Sequence, residues 1–124
     1  MLQITVSTDE ESGLCPIRNV LVGISGKWQS LIILSLEDGP LRFNQIKRVI
    51  GDISQRVLTQ NLRTLERDGH ITRTVSHGPP IAVSYQLTPL GHEFLEIWKP
   101  VALWAENKFE AVTAARKKYE AKSK

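Results

Sequence analysis

A chain of 124 residues and 14.0 kDa, 41% hydrophobic and 23% charged, has the size and composition of one globular domain that buries its own core. Its single cysteine excludes an intrachain disulfide framework and a cysteine-rich zinc site, and no apolar run approaches the ~18 residues of a membrane span. The net charge of +3 is small, but seven basic residues against three acidic ones fall between Arg42 and Arg73, which leaves the rest of the chain slightly acidic.

Residues 1–14 read as an N-terminal arm, in which Leu2, Ile4 and Val6 alternate as a short strand would. Asp9, Glu10 and Glu11 leave no apolar signal core, so the expected compartment is the cytoplasm. Pro16 suits the first turn of a helix, where its missing N–H is not needed. Ile17, Val20, Leu21 and Ile24 mark the apolar face of that helix, and Gly23 and Gly26 loosen the chain after it. A second helix is expected over Lys27–Glu37 with Trp28, Leu31, Ile32 and Leu36 inward. Ile33 and Leu34 make it apolar nearly all round, as befits a central helix. Asp38-Gly39-Pro40 stops it.

A third helix fits Phe43–Ile50, where Phe43, Ile46 and Ile50 are spaced three and four apart. Ser54 is a good N-cap for a fourth helix and Gly69 a good residue just past its end. Residues 70–75 alternate as a strand, with His70 an ordinary strand-edge residue. Ser76 to Pro80 form a turn, and Ile81–Leu87 the returning strand. Thr88-Pro89 opens a last helix that runs to about Val112. Pro100 should kink or split it, and the charged tail, residues 114–124, should fray. The fold class is therefore mainly α with a small β-hairpin wing: a winged helix-turn-helix over residues 15–113.

The fourth helix carries the functional signal. At ~100° per residue, Val57, Leu58, Leu62 and Leu65 share a core side. Arg56, Thr59, Gln60, Arg63 and Arg67 gather on the other, a stripe of hydrogen-bonding and cationic groups without a carboxylate. Arg can pair bidentately with guanine and Gln with adenine in the major groove. A recognition helix reads bases mainly through its N-terminal residues, here Ser54, Gln55, Arg56, Thr59 and Gln60. The free N–H groups near Ser54 suit a backbone phosphate, and Lys47 on the preceding helix suits another. The bland alternative is a solvated amphipathic face.

Other motifs lead nowhere. Gly26-Lys27 resembles the end of a phosphate-binding loop, but Leu21 replaces its first glycine and Trp28 its metal-binding hydroxyl. In His92-Glu93 the second histidine of a zinc-protease motif is replaced by Glu96. His70, His77 and His92 lack metal-ligand spacing. No catalytic constellation, metal site or cofactor is expected.

Cys15-Pro16-Ile17, Gly26-Lys27-Trp28, Gly39-Pro40-Leu41-Arg42-Phe43, Ile53-Ser54, Leu58-Thr59, Leu62-Arg63-Thr64-Leu65-Glu66, Asp68-Gly69, Tyr85-Gln86-Leu87-Thr88-Pro89-Leu90-Gly91 and Trp104, in this order, resemble the HxlR family of bacterial and archaeal winged-helix transcription regulators. The resemblance implies a homodimer on double-stranded DNA. It places Ser54 to Arg63 as the recognition helix and Arg42 and Arg73 on the DNA backbone. The first and last helices then form the dimer interface, through Ile17, Val20, Leu21, Trp98, Val101 and Trp104. The wing, Ser76 to Ile81, departs from the family in having no Lys or Arg, so His77 is its sole potential cation.

Cys15, at a helix start near Arg18 and Lys27, has features that favour a thiolate. In some members of the family the matching cysteine senses oxidants or electrophiles; the alternative is a small residue packed at the arm–helix junction. The sequence-level expectation is a sequence-specific, homodimeric DNA-binding regulator on a palindromic operator. Its rival is a winged helix that docks a protein through the same face. The identity of any small effector is left open.

Overall fold

The computed structural model describes residues 16–123. The 1–14 arm and Cys15 lie outside the described residues. The elements run α1 (Pro16–Val22), α2 (Lys27–Ser35), β1 (Leu41–Arg42), α3 (Phe43–Ile50), α4 (Gln55–Arg67), β2 (Ile71–Ser76), β3 (Ala82–Leu87) and α5 (Pro89–Ser123).

The central helix is α2, as its apolar surface requires. Ile32 and Ile33 are fully buried, and α3, α4 and α5 all pack on it. Ser30 is buried too, and its hydroxyl donates to the Gly26 carbonyl at 2.9 Å, so that hydroxyl is not stranded. Leu31, expected inward, is 37% exposed, because a helix covered on three sides still has an outer edge. The helix ends two residues early. Leu36, Glu37 and Gly39 then close tighter turns onto Ile33, Leu34 and Leu36, and Gly39 takes a φ of +138° that other residues avoid.

Helix α4 has the ends its sequence announces. The Ser54 hydroxyl accepts from the Val57 N–H at 3.1 Å. At the other end the His70 N–H reaches the Leu65 carbonyl at 2.9 Å while Gly69 turns at φ +83°, a Schellman closure. Leu58, Leu62 and Leu65 are buried against α2 and the sheet, and Val57 packs beside them.

The hairpin pairs Ile71 with Leu87 through to Ser76 with Ala82. A third strand, β1, is absent from the sequence reading. It pairs Leu41 with Tyr85 and Arg42 with Ser84, giving the antiparallel order β1-β3-β2. Two residues between Pro40 and a helix carry no periodicity, and only the distant β3 makes them a strand.

Three further expectations are corrected. Pro100 does not split α5 into two helices, and residues 114–123 do not fray: one helix runs from Pro89 to Ser123. Pro100 removes one N–H from this helix, a loss confined to the Glu96 carbonyl. Ala114, Ala115 and Ala121, with the Arg, Lys and Glu between them, are strong helix formers. His70 is no edge residue. It is 5% exposed, and its Nδ1 is buried without a partner. Burial pushes its pKa down, against the pull of the nearby Asp68 carboxylate.

Thr88 joins the end of α4 to the start of α5. Its hydroxyl donates to the Gly69 carbonyl at 2.6 Å and accepts from the Gly91 N–H at 3.1 Å. Its own N–H bonds the His70 carbonyl at 3.1 Å.

Candidate nucleic-acid interface

Helix α3, the turn through Ile53 and helix α4 form the helix-turn-helix, with Ile46, Ile53 and Leu58 buried between them. The packing of α4 leaves its other side outward. Gln55, Arg56, Gln60 and Arg63 are exposed. Arg56, Gln60 and Arg63 make no ion pair or side-chain hydrogen bond with any described residue, so their polar heads are available to a ligand. Thr59 is half-buried, and its hydroxyl proton goes to the Gln55 carbonyl at 2.8 Å. Its methyl group and one lone pair are what it can still offer.

The stripe differs from expectation at its far end. Arg67 turns onto Asp68, with bonds of 2.8 and 3.2 Å. That pairing holds the Asp68 carboxyl below the usual carboxylate range and raises the guanidinium pKa. Arg67 is thereby engaged within the protein. A carboxylate also stands at the edge of the stripe. A cavity of about 420 Å³ between α4 and the hairpin is lined by Thr59, Leu62, Arg63, Glu66, Arg73 and Tyr85. Glu66 sits three residues beyond Arg63, a spacing that puts both on adjoining sides of the helix. That spacing was the signal available in the sequence. Tyr85 enters through the sheet register, which no local pattern reveals.

Strand alternation separates the two basic residues assigned to the backbone. Arg73 pairs with Tyr85 and shares its face, toward α4. Arg42 pairs with Ser84 and lies on the other face, just ahead of α3, where its N–H donates to Gln45 Oε1 at 2.8 Å. Lys47 is half-buried along its stem and lines a shallow cavity with Asn44, Arg48 and Gly51. His77 stands exposed at the tip of the wing. The structure thus brings Arg63 and Arg73 together in one groove. Arg42, Lys47 and His77 lie around it rather than in it.

The sequence signature of the HxlR-like helix-turn-helix family matches residues 23–113. The chain belongs to that family. This HxlR-like chain is 36% identical to the HTH-type transcriptional regulator YtfH of Escherichia coli K12, over 94% of its own length and 96% of the relative's. It superimposes on the transcriptional regulator YtfH from Salmonella typhimurium with a TM-score of 0.76 at 37% identity, covering 83% of this chain and 92% of that one. The redox regulator HypR in its oxidized form matches with a TM-score of 0.71 at 39% identity, over 75% and 96% of the two chains. The HxlR-like chain is a helix-turn-helix transcriptional regulator rather than an enzyme. No helix among the described residues is long and apolar enough to cross a membrane.

The residues assigned to dimerisation in this HxlR-like chain are mostly exposed. Val20, Leu21, Val101 and Trp104 all face outward, and Ile17 is half-buried. Trp98 is an exception in kind: half-buried, it stacks on Phe94 with ring centroids 5.8 Å apart.

Proposed function

We propose that this HxlR-like regulator binds, as a cytoplasmic homodimer, a two-fold-related operator, with α4 of each copy in the major groove. Half-sites then lie one helical turn of DNA or a multiple apart, ~10 bp per turn. The observation that carries this reading is the outer face of α4. Arg56, Gln60 and Arg63 project, without a partner among the described residues, from a helix anchored by Leu58, Leu62 and Leu65. Ser54, Gln55, Arg56, Thr59 and Gln60 meet base edges or the adjacent phosphate. Arg63 and Arg73, on the two sides of the groove, with Arg42 and Lys47, hold the backbone, and His77 follows the wing. A protein-docking face would present exposed aromatics at its centre, and this one has none.

Arg56→Ala and Gln60→Ala should each relax preference at one operator position by ~1–3 kcal/mol while leaving non-specific affinity nearly intact. Fluorescence anisotropy against operator and scrambled duplexes measures this. Unchanged discrimination in both variants would show that another surface reads the bases.

The likeness to a redox regulator supports a role for Cys15 as the residue through which an oxidant or electrophile changes DNA affinity. Oxidant or quinone should shift binding of the native chain, and Cys15→Ser should abolish the shift. A mutant that responds like the native protein rules Cys15 out.

A further inference from the structure

The end of α1, the closing turn of α4 and the start of α5 surround a hollow of about 420 Å³. One wall is apolar, made by Val20 and Val22 of α1 and Leu90 of α5. The other is polar, made by Arg67, Asp68 and His70. Val20 is 55% exposed, Val22 79% and Leu90 47%. Single apolar side chains on a surface are ordinary, but three around one concavity with polar groups facing them have the make-up of a small-molecule site.

The polar wall holds two different acceptors. Asp68 is already engaged, since Arg67 donates to both of its oxygens at 2.8 and 3.2 Å. That pairing keeps the carboxyl below its usual range, so it is ionised at neutral pH and the pair carries no net charge. The end of α1 lies close against it: a Cβ at Gly23 would stand 2.4 Å from Asp68 Oδ2. His70 is only 5% exposed, and its Nδ1 is buried with no partner among the described residues. Burial also pushes the imidazole pKa down, so the ring is neutral and one of its nitrogens is an acceptor. Buried polar atoms are nearly always satisfied in folded proteins. An orphan that lines a cavity is where a ligand's polar group gains most.

These features define the ligand. The volume lies at the lower end of the ~300–1,000 Å³ usual for such sites, which suits one or two rings. The valine and leucine wall favours a hydrocarbon ring. A carboxylate ligand would meet the Asp68 charge, and a carbonyl would turn its lone pairs toward it. A neutral O–H instead supplies the proton that Nδ1 can accept.

We propose that this hollow binds a small neutral aromatic alcohol, its ring against Val20, Val22 and Leu90 and its hydroxyl donating to His70 Nδ1. The site lies at the far end of α4, roughly 20 Å along the helix from Ser54 at ~1.5 Å per residue. The His70 N–H itself closes that helix on the Leu65 carbonyl. Occupancy therefore bears on how the recognition helix is seated, and the ligand acts as an effector. That consequence, unlike the site, rests on the DNA reading proposed above.

The test is calorimetry on the full chain without DNA, with 4-methylphenol as probe and toluene and benzoate as controls. 4-Methylphenol should bind once per chain with a Kd on the order of 0.1–1 mM. Toluene, lacking the donor, should bind at least roughly tenfold more weakly, and benzoate not measurably. His70→Phe should bring 4-methylphenol down to the level of toluene. Val22→Glu, at an exposed position, should weaken both, and it decides the matter should His70→Phe fail to fold by circular dichroism. Operator affinity, read by anisotropy at ~2 mM 4-methylphenol, should change at least roughly threefold. No binding of 4-methylphenol, equal binding of the three probes, or binding indifferent to both substitutions overturns the site, and means that another part of the protein fills the hollow. Binding with no change in operator affinity overturns the effector role. A chain that takes up the probe but binds no operator overturns the DNA reading and leaves the site standing.

Discussion

Raising salt from about 50 to 200 mM should weaken operator binding by roughly a thousandfold or more. Arg42, Lys47 and Arg73 form no ion pair with any described residue, so each is free to displace a counterion from a phosphate. In the proposed dimer these three alone supply about six contacts, the lower end of the range for which losses of ~10³ to 10⁵ are usual. Lys47→Ala removes one contact per copy. It should flatten the slope of log K against log salt by about two and weaken every sequence alike. Arg56→Ala should instead leave sequence preference as its main casualty. Anisotropy titrations at four or five salt concentrations separate the two. A slope unmoved by Lys47→Ala would place Lys47 off the DNA.

Gly91→Ala should destabilise the fold by about 3 kcal/mol and lower Tm by roughly 10 °C. A Cβ built at Gly91 would stand 2.1 Å from the His70 carbonyl oxygen and 3.2 Å from Leu87 Cδ2. The first obstacle is backbone, held by the Thr88 N–H, so no side-chain rotation relieves it. Either α5 moves outward or the α4–β2 junction does, and both unpack Leu87 and Leu95. Gly78→Ala, with nothing within 4 Å of the added methyl, serves as the control and should melt as the native chain does. Equal melting of the two variants would mean that α5 is not seated as closely as described.

The parts of this fold legible in the sequence are those fixed by short-range chemistry. Phe43–Ile50 emerges with the expected bounds because its apolar spacing is clean and Gly51 ends it at φ +96°. Ser54 and Gly69 announce both ends of α4 because an N-cap and a left-handed turn each demand particular residues. The outer face of α4 was legible for the same reason, since helix periodicity sorts Leu58 and Leu62 from Arg56 and Gln60. Strand β1 was not, because Leu41 and Arg42 are a strand solely by virtue of Tyr85 and Ser84. His70 reads as an ordinary strand-edge residue, yet the closure of α4 and the approach of Gly91 bury it. Glu66 lay one turn from Arg63, but whether it faces the groove depends on where the hairpin folds. The charge of the tail suggests fraying, but Ala114, Ala115 and Ala121 favour helix, and the helix runs to Ser123.

Strand β3 joins three things that a looser hairpin would leave independent. It holds the wing strand on one edge and β1 on the other, β1 leads straight into α3, and Leu87 runs through Thr88 into α5. The reading head therefore has no internal hinge between wing and helix-turn-helix. In the DNA complex proposed above, wing and α4 move as one block, so a bent operator shifts the whole head rather than opening a seam within it.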